Sequence, residues 1–227
     1  MLKLLKSSVG RKYVMAVTGI FLFGFVVVHM LGNLQIYLGQ DALNDYAKHL
    51  EEMPFLLWPA RVFLLATLLI HICVSMSLAF ENRAARPVPY ACNDTVVASY
   101  ASRTMVMSGI IIFLFIVYHL MHFTFGKVQP QFFEQVDAKG REDVYGMVVH
   151  GFQNIYVAAS YIAAMAVLCF HLSHGLQSLF QSLGIRSERN GPFFKKFAVV
   201  MSLFIFIGNS SIPISVLLGY LKLPGGI

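Results

Sequence analysis

Charged residues are scarce in this 227-residue chain: Asp, Glu, Lys and Arg make up 12%, whereas 57% is hydrophobic. An ordinary soluble domain is roughly 25% charged, and a mean hydropathy of +0.68 excludes one here. Long polar stretches are lacking as well. No segment remains for a soluble catalytic domain, so any large active site has to lie on a partner. The three cysteines, Cys73, Cys92 and Cys169, form neither CxxC nor CxxCH. That argues against a disulfide framework, a thiolate zinc site and covalently attached c-type haem. HExxH is missing too, and no carboxylate cluster stands in for it, which sets zinc hydrolase chemistry aside. Lys3, Lys6, Arg11 and Lys12 precede an apolar run, as in a signal peptide. No small-residue cleavage site follows and the run is too long, so it reads as a retained helix.

What is present is five apolar stretches, 13–38, 56–80, 104–126, 148–180 and 194–220. Each is long enough to cross a bilayer, which takes about 20 apolar residues. The expected fold is an all-α membrane protein, a single domain over 1–227 built as a five-helix bundle. Its connections are 82–93 with Pro87 and Pro89, 184–192, and the longer 127–143, the one segment with a mixed-charge, water-exposed character. Basic residues set the orientation. With the N-terminus inside, Lys3, Lys6, Arg11, Lys12, Arg83, Arg86, Arg103, Arg186, Arg189, Lys195 and Lys196 face the cytoplasm. Lys48, Arg61, Lys127, Lys139, Arg141 and Lys222 face outward. This bias predicts N-terminus in and C-terminus out. Topology alone accounts for most of these charges; nothing in them suggests nucleic acid.

Four of the apolar stretches carry a histidine deep inside: His29, His71, His119 and His171. An ionisable residue at such a position costs several kcal/mol and marks function by default. The stretches also repeat. Thr18-Gly19 precedes His29 by the same spacing as Ser108-Gly109 precedes His119, while Ala66 and Phe80 flank His71 as Ala166 and Phe180 flank His171. Two copies of one hairpin account for this pattern.

Depth pairs the histidines. His29 lies ten residues before Gly39 and His119 eight before Lys127, on two helices running outward. His71 lies nineteen after Glu52 and His171 twenty-one after His150, on two helices running inward. His29 and His119 therefore share an outer level and His71 and His171 an inner one, about 15 Å apart at a rise of roughly 1.5 Å per residue. Measured from the inner ends at Arg83 and Arg186 the gap is smaller. Two pairs of imidazoles suit two stacked haems of the non-covalent b type, each with two axial ligands. Gly19 and Gly109 fall at the level of the opposite pair, where a missing side chain leaves room for a porphyrin face. His122 and His174 each follow a candidate ligand by three residues and compete with it. The repeat favours His119, because His122 has no counterpart in the first stretch and His174 faces Val74 in the second. Both remain open between quinone-side or haem-surrounding groups and plain packing.

Taken together, Thr18-Gly19-x9-His29, His71, Gly109-x9-His119 and His171-x3-Gly175-Leu176 resemble the cytochrome b membrane anchor of succinate:quinone oxidoreductases and quinol:fumarate reductases. The nearest form is the bacterial single-chain dihaem type with five transmembrane helices, and the resemblance runs the whole length. It implies two haem b groups, with His29 and His119 on the distal iron and His71 and His171 on the proximal iron. It implies a flavoprotein subunit carrying FAD and an iron–sulfur subunit as partners, docked on the inner face of a bacterial cytoplasmic membrane. Electrons from succinate would reach a quinone, by family habit menaquinone. Quinone chemistry needs protons, and Glu51 and Glu52 in the connection between the first two helices are the candidate carboxylates; the alternative is ordinary solvated loop acids. Arg11, Lys12 and Arg103 are candidates for haem propionates, since arginine pairs bidentately with carboxylates. Met15 and Ala16 stand where some members have glutamine and serine, so those roles do not carry over.

Other readings differ in what they require. A fumarate reductase anchor runs the same chain in reverse. A dihaem cytochrome b of a hydrogenase or formate dehydrogenase shares the haems and differs in its partners. A proton-coupled transporter calls for mid-membrane carboxylates and symmetric helix breaks. No Asp or Glu lies in the five stretches, and Gly208-Asn209 with Pro213 is an unpaired break.

Overall fold

The computed structural model describes residues 7–85 and 99–224. Lys3, Lys6, Arg86, Pro87, Pro89, Cys92 and Asn93 lie outside the described residues. The described chain forms α1 (Ser8–Asn33), α2 (Gln40–Glu51), α3 (Pro54–Ala84), α4 (Tyr100–Arg103), α5 (Met105–Phe123), α6 (Val144–Gln153), α7 (Ile155–Ser182) and α8 (Gly191–Leu217). Five of these, α1, α3, α5, α7 and α8, are long and apolar enough to cross a membrane. The protein is an all-α membrane bundle.

Local chemistry explains where the helices begin. Ser7 caps α1 by accepting from the Gly10 amide at 3.0 Å. Pro54 opens α3 and Pro192 lies in the first turn of α8, where a missing amide proton costs nothing. The apolar run 148–180 is not one helix. Asn154 adopts extended backbone, and its side chain accepts from the Tyr156 amide at 2.9 Å, ending α6 and starting α7. Gln153 and Asn154 are the polar pair inside an otherwise apolar run, so mean hydropathy runs through a break that capping chemistry makes. The first stretch likewise starts earlier, at Ser8, and finishes in a 3-10 turn, Leu34–Leu38, closed by Gly39 at φ +102°.

α1 packs on α3 and α7, and α5 packs on α7 and, more lightly, on α3. The four helices thus form a ring in which α1 and α5 are diagonal, as are α3 and α7. α8 lies outside the ring, along α7 and against α1. Its contact with α1 is close: a side-chain carbon added at Gly208 would sit 2.4 Å from the Met30 sulfur.

One end of the bundle carries a polar cap made from the 3-10 turn, α2, the segment 127–143 and α6. Its centre is Arg141, whose side chain is 4% exposed. It pairs with Asp41 at 2.6 Å and with Asp45 and Asp137 at 2.5 Å. Asn44, fully buried, donates to Asp137 and Asp143 at 3.0 Å and accepts from the Tyr145 amide at 2.9 Å. Asp41, Asn44 and Asp45 fall on one face of α2 by helical spacing. Below the polar layer Ile36, Leu43, Tyr145, Val149, Phe152, Ile212 and Val216 form an apolar core joining cap to bundle. The segment read as a water-exposed loop is mostly exposed, as expected, and is tied to the bundle through Asp137 and Arg141.

Two of the cap carboxyls titrate low. Hydrogen bonds from Lys139 and Arg141 hold Asp41 below its ordinary value, and that from Arg141, aided by Asn44, holds Asp137 well below. Their contribution is complete above the unfolded carboxylate value of about 3.9 and is lost as pH falls through the lower folded values. Amide exchange in 127–143 is expected to accelerate in acid below about pH 4 while the spanning helices stay protected. Arg141→Met is expected to bring the same loosening at neutral pH. Exchange indifferent to both changes would show that the apolar layer alone holds the cap.

Candidate functional site

The ring places one histidine on each of its four helices. His29 on α1 and His119 on α5 meet across one diagonal, ring centres 5.8 Å apart and planes at 88°. Two imidazoles bound end-on to one metal through bonds of about 2 Å hold their centres roughly 6 Å apart, so this spacing suits a shared metal. Phe25 stacks on His29 at 5.3 Å, and Phe115, Phe123 and Tyr161 surround His119. The Asn33 amide nitrogen lies 3.2 Å from His29 Nε2 and would have to release it for coordination through that atom. His119 Nδ1 is buried with no hydrogen-bond partner among the described residues. An unpaired buried polar atom costs about 1–3 kcal/mol, which fits a ring whose environment is completed by a further group.

His71 on α3 and His171 on α7 stand on the two helices of the other diagonal. Each is met by the hydroxyl–glycine step of a neighbouring helix. Thr18 Oγ1 lies 3.0 Å from His71 Nδ1, and Ser108 Oγ lies 3.0 Å from His171 Nδ1. A side-chain carbon added at Gly19 would sit 3.6 Å from His71 Cε1, and one at Gly109 3.7 Å from His171 Cε1. Both glycines therefore stand at the level of the second pair, one α-helical span of ten residues from the histidine on their own helix.

His122 is brought close to the first pair but is occupied. Its Nδ1 is 3.0 Å from the Tyr161 hydroxyl and its Nε2 3.1 Å from Gln129 Oε1. Its ring stacks on Phe123 at 3.9 Å, and Gly151 lies against its edge. Neither nitrogen is left over, which distinguishes it from His119. His174 bonds through Nε2 to Ser178 at 3.0 Å, one turn along its own helix.

The carboxylates and cations divide by end. Glu51 closes α2 at the capped end, exposed at its edge, and partial desolvation of its carboxyl, reinforced by the Glu142 carboxylate, raises its pKa above the ordinary carboxylate value, with Arg61 opposing. Glu52 is exposed and pairs with Lys48 at 3.8 Å, as an ordinary surface acid does. At the opposite end Arg11 donates to Ser77 at 2.7 Å and pairs with Glu81, tying α1 to α3. Its buried Nε has no partner among the described residues. Lys12 and Arg103 are exposed there, and no hydrogen bond brings them to the histidines.

Among the described residues no three His, Cys, Asp or Glu converge as a bare metal ion would require. The donors come in twos instead, which suits a planar macrocycle that supplies the equatorial ligands itself. The residues present thus fit two bis-histidine haems. The Thr18 and Ser108 hydroxyls, Tyr161 and Asn33 escaped the sequence reading. The repeated Thr18-Gly19 and Ser108-Gly109 steps were the one signal pointing to the first two.

Five spanning helices, four of them in a ring that carries one interior histidine each, define a multi-pass membrane protein. A family model of the succinate dehydrogenase/fumarate reductase transmembrane subunit matches residues 81–208, more than half of the chain. The chain belongs to that family. The match spans α5 and α7 with His119 and His171, whereas His29 and His71 precede it. Curated proteins and solved structures return no match.

Tyr161→Phe removes only the hydroxyl that partners His122. The expected result is a loss of about 1–3 kcal/mol of stability, read by thermal or detergent denaturation. An unchanged melting profile would mean that His122 Nδ1 finds another partner.

Proposed function

We propose that this chain is the dihaem cytochrome b anchor of a bacterial succinate dehydrogenase, a complex completed by a flavoprotein and an iron–sulfur subunit. The observation that carries the reading is the pair of diagonals: His29 with His119 and His71 with His171, one pair toward each end of a single helix ring. Two b haems held there supply one-electron transfer between the two membrane faces. His29 and His119 hold the group near the cap, and His71 and His171 the one nearer the N-terminus of α1. The aromatic shell of Phe25, Phe115, Phe123 and Tyr161 excludes water from the first pair. Arg11 Nε is a buried donor suited to a propionate of the second group.

Charge supports the orientation. Eight of the eleven acidic residues, Asp41, Asp45, Glu51, Glu52, Glu134, Asp137, Glu142 and Asp143, belong to the capped end. The opposite end is strongly basic, which supports reading it as the cytoplasmic face of a bacterial inner membrane by the positive-inside rule. That basic face would receive the iron–sulfur subunit, and a haem held by His71 and His171 would supply one-electron transfer toward a quinone, menaquinone in this reading. At the capped end Glu51, whose proton is retained above the ordinary carboxylate range, is the group that exchanges protons with quinone. The fumarate reductase direction uses the same residues in reverse, and the family description covers both.

The purified complex is expected to contain two b haems together with the flavoprotein and iron–sulfur subunits. His119→Leu removes the haem of the capped end, whereas His122→Leu leaves both in place. One haem or none in the native complex, or co-purified hydrogenase subunits, would overturn the reading. Glu51→Gln is expected to slow quinone turnover with the haems intact, and Glu52→Gln to leave turnover unchanged.

A further inference from the structure

Thr18 and Ser108 occupy equivalent places in the two repeated hairpins, and each meets the histidine of the helix next to it in the ring. Thr18 Oγ1 lies 2.8 Å from the Val14 carbonyl and 3.0 Å from that of Met15. Ser108 Oγ lies 3.0 Å from the Met105 carbonyl. Both hydroxyls are buried, Thr18 at 8% and Ser108 at 5% exposure. Ser and Thr within helices commonly donate back to a carbonyl three or four residues earlier. A hydroxyl has one proton, and a carbonyl can only accept. With that proton spent on the helix backbone, the oxygen faces the imidazole as an acceptor. The ring nitrogen 3.0 Å away, Nδ1 in both histidines, then has to be the one that carries hydrogen.

We propose that Thr18 and Ser108 are positioning residues that hold His71 and His171 in the same tautomer and orientation, Nδ1 donating to the hydroxyl and both Nε2 lone pairs left for one metal. The proposal rests on the dihaem reading above and adds the device that prepares one pair of ligands. The following glycine, Gly19 or Gly109, keeps the ring edge at van der Waals contact, 3.6 or 3.7 Å to a side-chain carbon built there. The capped-end pair lacks this arrangement: His119 Nδ1 has no partner among the described residues, and His29 is met at Nε2 by Asn33. The two pairs are thus electronically unlike. A ligating histidine that donates its other N–H to an acceptor is fixed in orientation and made more basic. A more basic ligand favours the oxidised iron, so the hydroxyls hold the reduction potential of the inner haem down.

The test uses the intact complex. Thr18→Val and Ser108→Ala remove the acceptors from two different helices, and Thr18→Ser and Ser108→Thr keep them. Redox titration of the haem absorption bands, electron paramagnetic resonance of the low-spin ferric signals and haem content per complex are the readouts. Both hydroxyl-free variants are expected to shift the same haem, the one lost in His71→Leu, to higher potential, with the capped-end haem unmoved. Retention of that haem is expected to weaken by about 10- to 100-fold, as for other outer-shell partners. The hydroxyl-keeping variants are expected to restore native potential and signal. Unmoved potentials in both hydroxyl-free variants, or shifts falling on different haems, would overturn the proposal while leaving two haems in the native complex. Failure of Thr18→Ser and Ser108→Thr to assemble would also overturn it, since the hydroxyl would then not be what matters. A native complex without two haems would instead remove the dihaem reading beneath it.

Discussion

A polar side chain within a bundle that faces hydrocarbon has to find its partner inside the protein, because lipid offers no donor or acceptor. The four ring histidines and the groups that meet them are arranged under this constraint. Thr18 and Ser108 turn back onto their own helix carbonyls and still reach an imidazole on the next helix. His122 has both nitrogens satisfied by Tyr161 and Gln129. Among the described residues the buried side-chain atoms left without a partner are His119 Nδ1 in the ring, Arg11 Nε at its basic end and Ser210 Oγ on α8. His122 has partners at both nitrogens, whereas His29, His71 and His171 each have one at a single nitrogen.

The ends of the bundle solve a different problem. Where the chain leaves the apolar layer, charge becomes cheap to hydrate, and the protein uses it to build a lid. Arg141 gathers carboxylates from α2 and from the segment 127–143, and Asn44 bridges that segment to the start of α6. Buried ion pairs of this kind specify one arrangement more than they add stability, since desolvation offsets much of the attraction. The cap covers the end nearer His29 and His119 and presents Glu51 at its edge. The opposite end stays basic and is joined across α1 and α3 by Arg11, Ser77 and Glu81.

Much of the architecture was legible in the chain because the bilayer imposes length and composition together. Five apolar runs correspond to five spanning helices, and the fold class follows from them. The repeat and the counting of turns also grouped His29 with His119 and His71 with His171, the groupings that the ring diagonals bring together. Hydropathy failed at Asn154, where a capping side chain splits an apolar run into α6 and α7 without changing its composition. At 127–143 the water-exposed, mixed-charge reading holds for most of the segment, but hydropathy gave no sign that Asp137 and Arg141 turn inward and meet α2 in the cap. Long-range ion pairs leave no periodic trace, so Asp41 and Arg141, a hundred residues apart, gave no local sign of each other.

By itself the sequence determined that this is a five-span membrane protein carrying one buried histidine on each of its first four spans, since the cost of charge in hydrocarbon restricts what such residues can be for. The tertiary structure decided which nitrogen of each histidine is free. That depends on a hydroxyl, a carbonyl or an amide arriving from another turn or another helix, at distances near 3 Å that no spacing rule encodes. The division of roles between His119 and His122, three residues apart on one helix, is the clearest case. The repeat favoured His119, and the approach of Tyr161 and Gln129 is what saturates the His122 ring while a His119 nitrogen stays without a partner among the described residues.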